Sequence, residues 1–104
     1  MKCIDVFVTV PNRKVANVII KHLLNEKIIA CAGIVSNFES FYWWKGKVEN
    51  SKELLIIMKT AKNKFTRLQN EVIKLHPYEV PQITSLDISD VNPDYLDWLK
   101  DTVL

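Results

Sequence analysis

His76 and Glu79 stand three residues apart in KLHPYEVPQI, residues 74–83, where an imidazole nitrogen and a carboxylate oxygen could hold copper or zinc. Two ligands make a weak site unless a second chain supplies more. The same stretch also reads as a helix stop. His76 suits the negative end of a helix, Pro77 ends it, and Tyr78 packs under a neighbouring hairpin. A different chemistry, attraction for an anionic ligand, is available to Lys45, Lys47 and Lys59. The 2 cysteines, Cys3 and Cys31, match neither a disulfide framework nor a zinc knuckle and are expected as free thiols. Nothing in the sequence sets a His or Asp beside Cys31, so it reads as a small buried hydrophobe. His22, on the polar side of a helix, reads as solvated. There is no Gly-rich phosphate loop, nucleophile elbow or pair of carboxylates at active-site spacing, so no enzyme is expected.

The elements that must position these residues show in the hydrophobic period. Ile4, Val6, Val8 and Val10 alternate with Asp5, Phe7 and Thr9, predicting a half-buried strand that Pro11-Asn12 ends. Apolar pairs at Val15/Ala16, Ile19/Ile20 and Leu23/Leu24 predict a helix over 13–26 with Asn12 as its cap. A second strand is expected over 28–38, continued by 41–44, and Lys45-Gly46-Lys47 turns the chain into a third through Val48 and 54–58. Phe65, Leu68, Val72 and Leu75 mark a helix over 63–75. Ile83, Leu86 and Ile88 suggest a fourth strand, and Asn92-Pro93-Asp94 opens a short helix through Trp98.

Strand-helix-strand occurs twice, with similar junctions at Thr9-Val10-Pro11-Asn12 and Thr60-Ala61-Lys62-Asn63. Two split βαβ units predict an α+β ferredoxin-like βαββαβ sandwich, with antiparallel strand order 4-1-3-2, both helices on one face and a short C-terminal helix. In that topology Cys3 and Cys31 share one end, on strands flanking the third and so roughly 10 Å apart, too far for a disulfide. His76, Tyr78 and Glu79 lie at the other end, beside the hairpin turn. A site using both cysteine and histidine would therefore span chains.

The second strand is too long for the body it belongs to, so part of its hairpin must project. Phe41 and Trp43 point to one side and Tyr42 and Trp44 to the other, leaving aromatics on both faces. Self-association through these four residues is expected. An RNA-recognition domain shares the element order but stacks bases on central-strand aromatics, whereas Lys52–Met58 has none, so no nucleic-acid partner is expected.

The chain's 104 residues suit a single domain over 1–104, and 48% hydrophobic content with only 2 Gly excludes a disordered tail. A net charge of +2 dictates no partner. No apolar run approaches the ~20 residues of a membrane helix, and the opening residues lack a signal-peptide pattern, so a cytoplasmic location without membrane association is expected.

Taken together, Cys31-Ala32, Tyr42-x-Trp44-x-Gly46-Lys47-Val48-Glu49, Lys59-Thr60, His76-Pro77-Tyr78-Glu79-x-Pro81 and Tyr95-Leu96-x-Trp98 make the chain resemble the CutA family of divalent-cation-tolerance proteins. The resemblance covers almost the whole chain. It implies a ferredoxin-like protomer in a tight homotrimer whose long hairpins reach a neighbour, a role in tolerance of copper and other divalent cations, and no catalysis. It also implies, from animal members, a link to acetylcholinesterase maturation, and so leaves room for a protein partner. Three positions depart from the family pattern. Gly33 replaces a usual Asn, Ser36 a common Pro, and Gln82 a common Glu next to Pro81, which leaves Glu79 as the carboxylate near His76. The rival expectation is a small-molecule sensor resembling PII signalling trimers, with an anion held between subunits by Lys45, Lys47 and Lys59.

Overall fold

The structure, a computed structural model, describes residues 2–103. Its elements are β1 (Cys3–Val10), α1 (Arg13–Asn25), β2 (Cys31–Trp44), β3 (Lys47–Ala61), a 3-10 turn (Lys62–Lys64), α2 (Phe65–Leu75), β4 (Ile83–Asp87) and α3 (Pro93–Val103). The four strands form one antiparallel sheet in the order β2-β3-β1-β4, the order predicted from the two split βαβ units.

Strand alternation explains how the sheet chooses its faces. Ile4, Val6, Val8 and Val10 of β1 and Ile56 and Met58 of β3 are fully buried, in one cluster with Ala16, Ile19 and Leu23 of α1 and Leu68 and Val72 of α2. Asn12 caps α1 as expected, its side chain accepting the Val15 N–H at 3.0 Å. The opposite face is covered only at one end, where α3 packs on Cys3 and Ala61. Phe7 and Ile57 on it are half-buried, while Val35 and Leu86 are 45% and 63% exposed.

Several boundaries differ from those read in the sequence. Ile28, Ile29 and Ala30 are buried but precede β2, because Lys27 turns the chain with φ 55° and Thr60 donates a hydrogen bond to the Ile28 carbonyl at 2.6 Å. The third strand starts at the turn as expected and ends three residues past Met58, and its polar stretch between Val48 and Leu54 pairs continuously with β2. The final helix runs five residues past Trp98, where Leu99 and Val103 bury against Cys3, Ala30 and Ala61.

The hairpin closes through Lys45-Gly46, with Trp44 paired to Lys47. Both turn residues have positive φ, 49° and 80°, as a two-residue turn matched to strand twist requires, and Gly46 supplies the second without strain. Between Val35 and Phe38 the β2-β3 register slips at a bulge where Asn37 has φ 58°. Beyond that bulge the hairpin has no helix behind it, and the molecule reaches 45 Å in length against 26 and 23 Å across.

Candidate functional site

The bulge sets which residues meet at the base of the hairpin. Phe38 pairs with Glu53, Ser40 with Ser51 and Tyr42 with Glu49, so Phe38, Ser40, Tyr42 and Trp44 share a face with Glu53. The hydrogen bonds of that face agree. Ser40 Oγ donates to Glu53 Oε1, and Tyr42 Oη lies 2.6 Å from Ser51 Oγ. Glu53, only 7% exposed, is among the most buried carboxylates of the chain. Its other oxygen, Oε2, accepts from Tyr78 Oη at 2.6 Å. Burial and this hydrogen bond to a carboxylate push the Tyr78 phenol well above its usual range, so it stays a donor.

Tyr78 is held there by the segment that follows α2. His76, 8% exposed, closes that helix through its backbone N–H to the Val72 carbonyl at 2.9 Å. Its Nε2–H donates to the Thr9 carbonyl at 2.8 Å, and its Nδ1 accepts the Tyr78 N–H at 3.1 Å. The His76 and Tyr78 rings pack with centroids 4.7 Å apart. One continuous chain of hydrogen bonds thus ties the end of β1 to the base of the hairpin through His76, Tyr78, Glu53 and Ser40.

These contacts bear on the expected metal pair, His76 and Glu79. Both ring nitrogens of His76 are engaged, as the neutral Nε2–H tautomer, so no lone pair is left for a cation. Glu79 stays exposed at the rim of the groove between hairpin and the 77–82 segment. Among the described residues no three His, Cys, Asp or Glu side chains gather as a metal site. Gln82, the departure from the family pattern, lines the same groove and its amide donates to Thr84 Oγ1 at 3.4 Å.

The three lysines of the anion alternative are not brought together within one chain. Lys45 sits at the turn with its ammonium 5.7 Å from the centre of the Trp44 ring, and Lys47 begins β3. Lys59 is twelve residues further along β3, roughly 40 Å away by strand rise, and pairs with Asp5 at 3.1 Å.

At that far end the structure adds an arrangement the sequence did not disclose. Cys31, Lys59 and Asp5 are cross-strand neighbours on the open face, and Tyr95 of α3 closes over them with Oη 3.3 Å from Cys31 Sγ. Burial and the Cys31 contact push the Tyr95 phenol up to about 12. Both cysteines are free, Cys3 buried and Cys31 half-buried.

The profile of the CutA1 divalent ion tolerance protein family matches residues 4–102. The chain belongs to this family. A divalent-cation tolerance protein CutA from Pyrococcus horikoshii is 44% identical over 92% of this chain and 93% of its own length. Among solved structures, the periplasmic divalent cation tolerance protein CutA from Archaeoglobus fulgidus superimposes with a TM-score of 0.95 at 35% identity, covering 98% and 99% of the two chains. CutA1 from Oryza sativa gives a TM-score of 0.96 at 38% identity, covering 100% of this chain and 95% of that one. The family is named for tolerance of divalent cations and not for a catalysed reaction. No described helix of this CutA1-family chain is long and apolar enough to cross a membrane.

Of the residues singled out in the sequence, Tyr78 packs under the hairpin as expected. Glu53 was missed. The signal available for it was positional, since an acid at 53 falls by strand alternation on the same face as the apolar Leu55 and Ile57.

Proposed function

We propose that this CutA1-family chain works as a homotrimeric divalent-cation tolerance protein that binds copper or a similar cation weakly and carries out no catalysis. One observation carries the reading: an aromatic hairpin that leaves its own fold. Phe41 and Trp43 are 69% and 74% exposed on one side, Tyr42 is 40% exposed on the other, and Trp44 follows it. Burying such side chains is worth about 1.5–3 kcal/mol each, and isolated two-stranded ribbons are marginal in water. A second copy of the chain, itself bearing an uncovered sheet face with Phe7, Ile57, Val35 and Leu86, supplies matching apolar surface. Cation binding in this reading falls to exposed carboxylates, Glu79 first, because His76 is engaged inside the protomer. A contribution from His76 would require release of the Tyr78 N–H. A cytoplasmic location belongs to the same proposal.

The PII-like alternative shares the element order, but its lysines lie at opposite ends of β3 and could meet only across chains. The test is light scattering combined with calorimetric titration of copper and zinc into the wild-type chain and Glu79→Gln. Trimeric mass with weak copper binding reduced in the variant is expected. A monomeric mass, or trimeric mass with no heat of binding, overturns the assembly or the cation half of the proposal respectively.

A further inference from the structure

We infer that the outer face of the α1–α2 layer binds an anionic phospholipid surface, as a peripheral contact made by lysine ammonium groups with aliphatic side chains set between them. Residues 12–27 and 62–75 carry eight Lys or Arg against two acids, a balance of +6, while the rest of the chain carries six against ten, a balance of −4. The net charge of +2 conceals this separation.

Both acids of the layer are already engaged within it. Glu71 accepts from Lys74 at 2.8 Å and lies 2.8 Å from His22 Nε2, and Glu26 accepts from Arg67 at 3.4 Å. The His22 and Arg67 bridges tie α1 to α2 side by side, so the surplus cations stand on one continuous surface. Arg13 is held by Ser36 and Lys62 by Asp87. Among the described residues no carboxylate lies within ion-pair distance of Lys14, Lys21, Lys27 or Lys64. Lys14 and Lys21 are both exposed and seven residues apart, which puts them on one stripe of α1, about 10 Å apart along its axis.

The apolar side chains between these cations decide which polyanion fits. Val18, one turn from both lysines, is 48% exposed, and Ile73 beside Lys74 is 52% exposed. Aliphatic groups gain by entering the boundary between lipid headgroups and acyl chains and gain nothing against a phosphodiester backbone. The face also lacks what a nucleic acid would use. Phe65, the aromatic of the layer, packs against the core, and both guanidinium groups are taken, which leaves lysine point charges alone. The hairpin aromatics and the open face of the sheet, which a second copy covers in the assembly proposed above, take no part. The inference holds for one chain and does not rest on the trimer or on metal binding.

The experiment is co-sedimentation of the full chain with vesicles of phosphatidylcholine alone and with about one-third phosphatidylserine, beside gel-shift titration with a duplex DNA oligonucleotide. Three variants of verified mass and circular dichroism accompany the wild type. They are Lys14→Glu with Lys21→Glu, Val18→Ser with Ile73→Ser, and, for an equal change of charge on the hairpin, Lys47→Glu with Lys52→Glu. Sedimentation with the anionic vesicles only is expected, falling as salt rises. It should weaken about tenfold or more in the Lys14 and Lys21 variant, about threefold in the Val18 and Ile73 variant, and less than about twofold in the hairpin variant. If the first variant does not fold, Lys14→Gln with Lys21→Gln takes its place. No sedimentation with the anionic vesicles, equal sedimentation with both vesicles, or binding left unchanged by either helix variant overturns the inference. Equal weakening by the helix and hairpin charge variants, or tighter binding to the duplex than to the vesicles, overturns it as well.

Discussion

β2 and β3 form one continuous ladder, yet its two halves live in different surroundings. From Cys31↔Lys59 to Val35↔Leu55 the pairs include Ala32↔Met58 and Ile34↔Ile56, whose inward sides are packed by α1 and α2. From Phe38↔Glu53 to Trp44↔Lys47 no helix of the same chain lies behind the strands, the 77–82 segment meets only their base through Tyr78, and the other stabilising contacts are cross-strand pairs such as Asn50 donating to Glu39 at 3.0 Å. The first half needs only its own helices to bury its apolar residues. The second half reverses the usual arrangement, carrying its largest side chains where its own fold cannot cover them. The groove with Glu53 lies at the seam, where the bulge hands one regime to the other.

The comparison can be broken most forcefully in the packed half. Ile56→Ala is expected to destabilise the chain by about 2–5 kcal/mol, because Ile56 is fully buried and the surrounding core relaxes only partly around the cavity. Denaturant unfolding would show it, and a loss below about 1 kcal/mol would mean that this face is loosely packed. At the seam, His76→Ala should cost about 1–3 kcal/mol, leaving the Thr9 carbonyl and Tyr78 N–H without partners. Copper titration of the same variant sharpens the point, since stability should fall more than affinity does. In the projecting half, Trp43→Ser should change the folding of an isolated chain by less than about 0.5 kcal/mol while lowering the mass seen by light scattering. Equal losses of stability at Trp43 and Ile56 at low concentration would erase the distinction between the halves.

The smallest effect is expected on the outer helical surface. Hydrogen bonds from Lys74 and His22 draw the Glu71 carboxyl down to about 2 from its ordinary 4.5. A carboxyl lowered on folding binds protons more readily in the unfolded chain, so its contribution is present above pH 4.5 and is lost as pH falls toward 2. Glu71→Gln should therefore lower stability slightly above pH 4.5, neutrality included, and flatten the profile between 4.5 and about 2. Because the group faces solvent, the change should be small and should shrink further in salt.

The packed half was legible in the sequence for a simple reason: one face per element is apolar, and β-branched alternation in β1 and the four-residue recurrence in α1 record that directly. Asn12 was legible as a cap because its role is local. The start of β3 was legible from the Lys45-Gly46-Lys47 turn and Val48, although Glu49, Asn50, Ser51 and Lys52 pair with a partner strand without any apolar signature of their own. The site was harder still. His76 and Glu79 attracted notice by chemical type, but whether an imidazole has a free lone pair depends on a carbonyl 67 residues away, Thr9. Glu53 gained its importance from the bulge at Asn37, which sets the face that Ser40 and Tyr42 share with it. Register slips of that kind leave little trace in a single sequence.

The Lys45-Gly46 turn has a kinetic consequence. Its backbone is already the one that a two-residue connection prefers, and the strands it joins are adjacent in sequence, so this arm can close within about 1–10 μs, without waiting for the slower pairing of β1 with β3. An arm that forms early and locally meets other molecules as a finished ribbon. Little conformational freedom then remains to be lost on contact, and encounter becomes a matter of docking rather than of folding.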